Sequence, residues 1–508
     1  MISILMLCAL SSFQQLELGP SIQPSQIWVS SGTFDPLLTI QDGLPVQKHW
    51  TKADVGRLQD PLREDQGVAL LYEAPTDGLM MLTCKGHNAI MTRRVTHPRD
   101  PGAIGAHQWP IPVEKGSNWI FIEGAGKTLL LSARPVKGVM EAEVVIAQYD
   151  RTIPQAVDLV ETNALGAMVV SNLTAQTLSQ CSLWSRCLFE PNEKYVGRLY
   201  PQDWKPGEWT QGTPCDLQPY ASQKVEIQFM GPPPFKIDPQ PYPFELELRS
   251  KDGKVLGRST VNLAVRSEKD RTWETFRSEI DGSIQRWIRI PRTGNPDGPS
   301  PAIFVIPHLR QSVSNQALSY EPSEHHDMFV CWGRRPSSNG HNDDFRRESI
   351  LETIESAIDR HGLDRTRVGL MGFGEAGLTA FELQKRNPDL FSGVALVSTF
   401  PPIDNVTGAQ TALDELPGRL YLRWGSEYAA CPPDAKQRYE YLGDQNQLIV
   451  EIVAGEEEWW GRETVDVPQM HEWILQGNGQ YQWSTSRPPL QPMNQTEAWS
   501  EFDAVSVD

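Results

Sequence analysis

The stretch that decides the fold of the C-terminal half is Arg367-Val-Gly-Leu-Met-Gly-Phe-Gly-Glu-Ala-Gly-Leu378. Its apolar part, Val368 to Met371, has the composition of a buried strand. Small residues follow at the point where the strand must turn into the next element, since a very tight turn leaves no room for side chains. These small residues are Gly372, Gly374, Ala376 and Gly377. The stretch therefore predicts a strand, a sharp turn and a helix.

Other apolar runs place this unit in a larger sheet. After about residue 275 they recur at 302–306, 328–331, 368–371, 393–397, 420–422 and 448–453. A helical pattern from Asp344 to His361 lies between two of them, with Ile350, Ile354 and Ile358 on one face. Strands that are apolar throughout and alternate with helices predict a doubly wound, mostly parallel sheet covered on both faces.

The front half has a different pattern. Short apolar runs at 68–74, 78–84, 119–123 and 128–133 are separated by turn residues, which predicts an all-β, sandwich-like region. Beyond it we predict a helical stretch over about 150–190 and a Pro-rich connection at 231–243. A hairpin of 244–248 with 261–265 follows, because Lys251-Asp-Gly-Lys254 is a turn signal.

Length and charge limit the possibilities further. A chain of 508 residues predicts two to four domains. The expected segments are a candidate signal peptide (1–18), a β-sandwich-like domain (27–150), a mixed segment with a small β-unit (151–270), an α/β domain (275–478) and a flexible acidic tail (480–508). The net charge of −18, without clustered Lys and Arg, argues against nucleic acid as a partner. No stretch has the roughly 20 apolar residues of a transmembrane helix.

The N-terminus and the cysteines bear on the compartment. The apolar run from Ile2 to Leu10 is typical of a signal-peptide core, although no basic residue precedes it, and we expect a secreted or periplasmic protein. Removing Cys8 with that segment leaves an even number of cysteines: Cys84, Cys181, Cys187, Cys215, Cys331 and Cys431. An even count permits disulfides, with one pair among the three cysteines between 181 and 215. Free buried thiols are the alternative.

A family resemblance rests on particular segments. They are Thr275-Phe-Arg-Ser-Glu-Ile-Asp-Gly-Ser-Ile-Gln-Arg-Trp287, the first strand ending at Pro307-His308, the turn at Gly374, and Glu458-Trp-Trp-Gly461. Together they resemble secreted bacterial proteins of the prolyl-oligopeptidase-like (peptidase S9-type) α/β-hydrolase group, of which this chain looks like a degenerate member. The resemblance implies an N-terminal β-domain and an α/β-hydrolase domain over 275–478. For an intact member it implies hydrolysis by a serine, an acid and a histidine.

The same resemblance assigns the site positions, and this chain departs from the pattern at each of them. Gly374 stands where the nucleophilic serine of G-x-S-x-G belongs. Tyr428 occupies the acid position and Glu458 the histidine position. The oxyanion loop, commonly H-G-G, reads Pro307-His-Leu-Arg-Gln311, so that only His308 is kept.

These departures support two hypotheses. The first is a protein without serine-dependent hydrolysis that acts as a binding or scaffolding module for an unknown protein, peptide or small molecule. The alternative is an active serine-type or carboxylate-dependent hydrolase of peptide or ester bonds with a rearranged site, for which Glu375 and Glu458 are the candidate carboxylate pair. Against the pair, Glu375 fits a helix N-terminus, where the helix dipole favours acidic residues. We expect no cofactor and no metal, although His325-His-Asp327 contains metal-ligating residue types.

Overall fold

The computed structural model describes the chain in segments. These are residues 21–30, 40–41, 44–45, 47–53, 67–85, 89–92, 96–98, 107–123, 130–136, 143–146, 152–158, 160, 162–190, 193–198, 207–219, 221–235, 241–280, 282–294, 298–306, 313–331, 344–387, 390–399, 419–426, 448–453 and 467–476. The candidate signal peptide and the acidic tail lie outside them.

Antiparallel strands form the first part of the chain, as the short apolar runs predicted. They are β1 (Gln26–Ser30), β2 (Ile40–Gln41), β3 (Leu44–Pro45), β4 (Trp50–Ala53), β5 (Val68–Ala74), β6 (Gly78–Lys85), β7 (Ala89–Thr92), β8 (Thr96–Pro98), β9 (His107–Val113), β10 (Gly116–Glu123) and β11 (Leu130–Pro135). One sheet has the order β4-β1-β5-β10-β7-β8 and another the order β11-β6-β9. Leu70 and Ile120 of the first sheet share a buried core with Leu82 of the second. Two sheets facing one core pack as in a β-sandwich.

A second set of strands follows. They are β12 (Val144–Ile146), β13 (Ala156–Val157), β14 (Thr162–Asn172), β15 (Leu178–Cys187), β16 (Thr210–Gln211), β17 (Cys215–Leu217), β18 (Ser222–Gly231), β19 (Tyr242–Arg249), β20 (Val255–Leu263) and β21 (Val265–Arg266). The sheet β12-β14-β18 faces the sheet β16-β15-β19-β20, to which β17 is joined through β15. The predicted hairpin is confirmed as β19 and β20, with Gly253 of the turn at φ 80°.

The helical stretch predicted over about 150–190 was wrong. The described residues there form β13, β14 and β15. From Ala167 to Asn172, β14 is buried on both faces, so its apolar residues run continuously instead of alternating. A short run of this kind cannot be told from a buried helix by periodicity.

The C-terminal sheet has eight strands. They are β22 (Thr272–Arg277), β23 (Ile284–Ile290), β24 (Ala302–Ile306), β25 (Asp327–Cys331), β26 (Val368–Phe373), β27 (Gly393–Val397), β28 (Arg419–Gly425) and β29 (Leu448–Val453). Their order is β22-β23-β25-β24-β26-β27-β28-β29. β23 runs antiparallel to both neighbours, and the pairs from β25 to β29 are parallel. This strand order, with an antiparallel second strand, is that of the α/β-hydrolase fold.

Helices cover both faces of this sheet. They are α1 (Val313–Leu318), α2 (Asp344–His361), α3 (Glu375–Arg386) and α4 (Pro468–Leu475). α2 has the predicted bounds. Ile354 of α2 and Phe381 of α3 belong to the same core as Phe304, whereas Ile474 of α4 packs with Val305 on the other face. Outside this sheet, the only parallel ladder among the described strands is the short pair of β13 with β21. No described helix is long and apolar enough to cross a membrane.

Two buried histidines meet where α4 packs near the amino end of β25. His326 is 6% exposed, and its ring centroid lies 5.3 Å from that of His471 in α4. Ser323 Oγ lies 2.9 Å from His326 Nδ1. Burial, with smaller effects of His471 and His325, lowers the pKa of His326 to about 3. Asp327, the third residue of the His-His-Asp segment, pairs with Arg289 at 3.2 Å.

We predict that acidification destabilises the protein through His326. Its pKa is about 3 in the folded chain and about 6.5 in an unfolded one. Between these values the unfolded state binds more protons, so the free energy of unfolding decreases as the pH falls below about 6.5, by at most about 1.4 kcal/mol per pH unit. Above that range His326 contributes no pH dependence.

Urea unfolding at a series of pH values measures this slope. His326→Gln should reduce it, whereas His325→Gln, at the exposed neighbouring position, should change it far less, because burial is the main cause of the lowered pKa. Equal slopes for the wild type and His326→Gln would contradict the assignment.

Candidate functional site at the strand-to-helix turn

Gly374 occupies the sharp turn between β26 and α3. Its backbone has φ 50° and ψ −127°, and α3 begins at the next residue. The Gly374 N–H donates a hydrogen bond to the carbonyl oxygen of Val397 (2.9 Å), and the Gly377 N–H donates one to the carbonyl oxygen of Gly374 (2.9 Å). The turn is therefore bound both to the neighbouring strand β27 and to its own helix. The strand, turn and helix predicted from the sequence are confirmed.

The flanking glycines are required by close contacts. A Cβ atom on Gly372 would lie 2.5 Å from the carbonyl oxygen of Ala376. A Cβ atom on Gly377 would lie 2.1 Å from Cγ2 of Thr399. Such distances are shorter than packed atoms tolerate. Packing alone therefore requires small residues in this segment, whether or not the turn takes part in a reaction.

The register of the sheet brings the carboxyl ends of several strands to one side. Ile306 pairs with Gly372, Val397 pairs with both Phe373 and Arg423, and Gly425 pairs with Val453. The loops that follow β24, β26, β28 and β29 therefore start next to each other. In open α/β sheets, ligands bind at this side, outside the carboxyl ends of the strands.

Of the five predicted site residues, two lie in the part of the chain that the structure describes. Gly374 lies in the turn, and Glu375 is the first residue of α3, where the backbone alone is described. His308, Tyr428 and Glu458 lie outside the described residues. In sequence they follow β24, β28 and β29, the strands whose ends meet beside the turn. Their assignment to one site stays a prediction.

Polar side chains on β28 and β29 near this side bind each other. The Tyr421 hydroxyl donates a hydrogen bond to Glu451 Oε2 (2.7 Å), and Arg423 forms an ion pair with Glu451 Oε1. Burial and the Glu451 carboxylate raise the pKa of Tyr421 well above its usual value. Glu451 is thus held between two partners, which suits a structural link between the last two strands better than acid–base catalysis.

Sequence reasoning missed Ser398, the residue directly after β27. It has φ 49°, which is uncommon for a residue other than glycine. It is 1% exposed, and its N–H donates a hydrogen bond to the carbonyl oxygen of Arg423 (2.8 Å). Strained backbone often occurs at functional sites. Nothing in the sequence signals it, because neither Gly nor Asn marks the position.

Comparisons with protein-family models and with curated proteins find no match. Among solved structures, the chain is similar to a ferulic acid esterase from the anaerobic fungus Anaeromyces mucronatus, with 14% identity, 41% of this chain and 90% of the other covered, and a TM-score of 0.30. It is also similar to an S-formylglutathione hydrolase from Agrobacterium tumefaciens, with 10% identity, coverages of 40% and 95%, and a TM-score of 0.31. A thermostable esterase matches at 11% identity, coverages of 64% and 94%, and a TM-score of 0.27. The strand order of the C-terminal sheet is what gives the α/β-hydrolase fold.

Gly374 limits the reactions in which this turn can take part. In serine hydrolases the turn presents a hydroxyl to the substrate, whereas Gly374 has no side chain and offers only its peptide groups. Within the part of the chain that the structure describes, no three His, Cys, Asp or Glu side chains are grouped as metal ligands would be.

We predict that Gly374→Ala lowers the free energy of unfolding by about 1–3 kcal/mol, the usual cost of forcing a side-chain-bearing residue into such a backbone conformation. Gly372→Ala should cost more, because its Cβ meets backbone atoms of Ala376. Lys385→Ala, at an exposed position of α3, is the control and should change stability by less than about 0.5 kcal/mol. Urea unfolding measures all three. A Gly374→Ala variant as stable as the wild type would contradict the turn geometry.

Proposed function

We propose that this chain is an exported, multidomain member of the prolyl-oligopeptidase-like α/β-hydrolase group. In this proposal it has lost serine-dependent hydrolysis and acts as a binding or scaffolding module. The observation that carries the proposal is Gly374, which has the backbone conformation of the turn at φ 50° and ψ −127° without a side chain to attack a substrate.

The other assigned positions support the same conclusion. A serine hydrolase needs a base to accept the proton of the nucleophile and an acid to orient that base. Here Glu458 stands at the base position and Tyr428 at the acid position, while Leu309 and Arg310 replace the oxyanion-loop glycines. Because these groups act as one unit, losing several of them together is incompatible with the family reaction.

The scaffold around the lost nucleophile supports a binding role. The strands β24, β26 and β27 are fully buried, so the sheet keeps the packing of an intact domain. In α/β proteins ligands bind outside the carboxyl ends of the strands, which is the side where the loops after these strands start. The ligand class we propose is a protein, a peptide or a small molecule, since the charge of −18 disfavours nucleic acid. The apolar run from Ile2 to Leu10 supports export.

The alternative is a hydrolase with a rearranged site. Ser398 favours the rearranged site. It carries a hydroxyl group and has a strained backbone, and it follows the strand next to the turn. Its nearly complete burial argues against direct attack on a substrate. Glu375 and Glu458 remain the carboxylates that such a site would use.

We predict that a fluorophosphonate probe will not label the purified full chain, because the probe reacts with activated serines and position 374 has none. The experiment includes an active serine hydrolase as a positive control and a panel of ester and peptide substrates. Labelling of any serine would overturn the proposal, and labelling of Ser398 would establish the rearranged site.

We also predict that the combined variant Gly374→Ser, Tyr428→Asp and Glu458→His gains fluorophosphonate labelling at position 374. The gain requires the histidine introduced at position 458 to lie within hydrogen-bond reach, about 2.6–3.2 Å between heavy atoms, of both the serine introduced at position 374 and the aspartate introduced at position 428. Turnover should stay weak, since one missing oxyanion donor costs about 100- to 1000-fold in rate. Gly374→Ser alone is the matched control and should stay unlabelled. A crystal structure of the combined variant in which the residues introduced at positions 374 and 458 lie more than about 6 Å apart, well outside hydrogen-bond reach, would show that the loops are wrongly assigned.

A further inference from the structure

Two cysteines lie opposite each other in the middle part of the chain. Cys181 of β15 and Cys215 of β17 are cross-strand partners in an antiparallel ladder, and both are free thiols. The Cα atoms of directly opposite residues in such a ladder are about 4.5–5.5 Å apart. Disulfides form across Cα separations of about 4.4–6.8 Å. The backbone therefore holds this pair at a separation that a disulfide can bridge.

A local irregularity of β15 creates the pairing. Leu178 pairs with Leu217, and a β-bulge between Leu178 and Cys181 adds one residue to β15 before the next pair. Gln180 takes up the bulge with φ 53°, and its N–H donates a hydrogen bond to Asp216 Oδ1 (2.7 Å). Without the extra residue, Gln180 would stand opposite Cys215. Bulges commonly change the direction of a side chain, and this bulge places Cys181 opposite Cys215.

Both thiols also face the same side. Cys181 is buried in the core between the two sheets, and Cys215 is partly buried against that core. Cys187 belongs to the same core but lies at the other end of β15, where it pairs with Phe244 of β19. The ladder thus distinguishes one cysteine pair from the third cysteine.

We propose that Cys181 and Cys215 form an intramolecular disulfide that ties the short strand β17 to β15. The oxidant is a disulfide compound, either a small molecule such as oxidised glutathione or a protein dithiol oxidase. This modification goes beyond the proposed binding role, and its chemistry does not depend on that role.

The exchange proceeds in two balanced steps. The Cys215 thiol, which is the more accessible, loses its proton to solvent and attacks one sulfur of oxidised glutathione. One glutathione thiolate leaves and a mixed disulfide forms. The Cys181 thiolate then attacks the Cys215 sulfur and expels the second glutathione. Two protein thiols are oxidised by two electrons, and one glutathione disulfide is reduced to two thiols.

Burial affects the rate of this exchange. It raises the pKa of Cys215 to about 12 and also raises that of Cys181. Since the thiolate is the attacking species, the folded protein should oxidise slowly at neutral pH and faster as the pH rises.

Peptide mapping of the purified full chain tests the proposal. The protein is incubated with oxidised glutathione, its remaining thiols are alkylated in denaturant, and it is digested with trypsin without reduction. Cleavage after Arg186 separates Cys181, in peptide 152–186, from Cys187, in peptide 187–194, and Cys215 lies in peptide 199–224. The expected product is peptide 152–186 linked to peptide 199–224, formed faster at pH 8.5 than at pH 7.

Variants provide the matched controls. Cys187→Ser should give the same linked product and the same increase of the urea midpoint on oxidation as the wild type. Cys181→Ser and Cys215→Ser should give neither. Absence of the linked peptide from the wild type, or a disulfide that includes Cys187, would overturn the proposal. The peptide map of the wild type is by itself sufficient to decide whether the disulfide forms. A negative result leaves the proposed loss of hydrolysis unaffected, because fluorophosphonate labelling tests that proposal separately.

Discussion

The turn at Gly374 is the constraint on which the site and its surroundings depend. To reverse direction between β26 and α3 within one residue, the backbone adopts a positive φ, and the Gly374 N–H is held by Val397 of the next strand. The close approach of α3 to the sheet then leaves no room for a Cβ at Gly372 or Gly377. These contacts place the start of α3 at the carboxyl edge of the sheet. The loops after β24, β28 and β29 begin at the same edge.

The turn can persist without its reaction because its packing and its chemistry have different requirements. Packing demands small residues on both sides, and a catalytic serine adds a side chain at a backbone conformation that costs about 1–3 kcal/mol for residues other than glycine. Gly374 removes that cost. Active sites often trade stability for function, so under the proposed loss of hydrolysis a glycine at this position adds stability. The contacts of Gly372 and Gly377 require small residues for packing alone.

The strands of the C-terminal sheet could be predicted because most of them are buried on both faces and read as uninterrupted apolar runs between helices. The same property misled the prediction around Ala167 to Asn172, where a doubly buried antiparallel strand has no alternation. The position of Gly374 could be predicted from the small residues beside it. The strained φ of Ser398 and the pairing of Cys181 with Cys215 could not, because each depends on a backbone irregularity that leaves no periodic signal. The loops carrying His308, Tyr428 and Glu458 lie outside the described residues.

The middle β-strands also contribute to the C-terminal sheet, because they protect its first strand. β22 is an edge strand, and exposed edges invite pairing with other chains. Its Trp273 N–H donates a hydrogen bond to Gln155 Oε1 (3.1 Å), and its Trp273 carbonyl oxygen accepts one from the Gln155 N–H (2.9 Å). Arg277, at the end of β22, pairs with Glu226 of β18 at 2.6 Å. The edge is therefore closed by the preceding part of the chain. The proposed disulfide between Cys181 and Cys215 lies in the same β-unit as Glu226, because residues of β15 and β18 share one buried core.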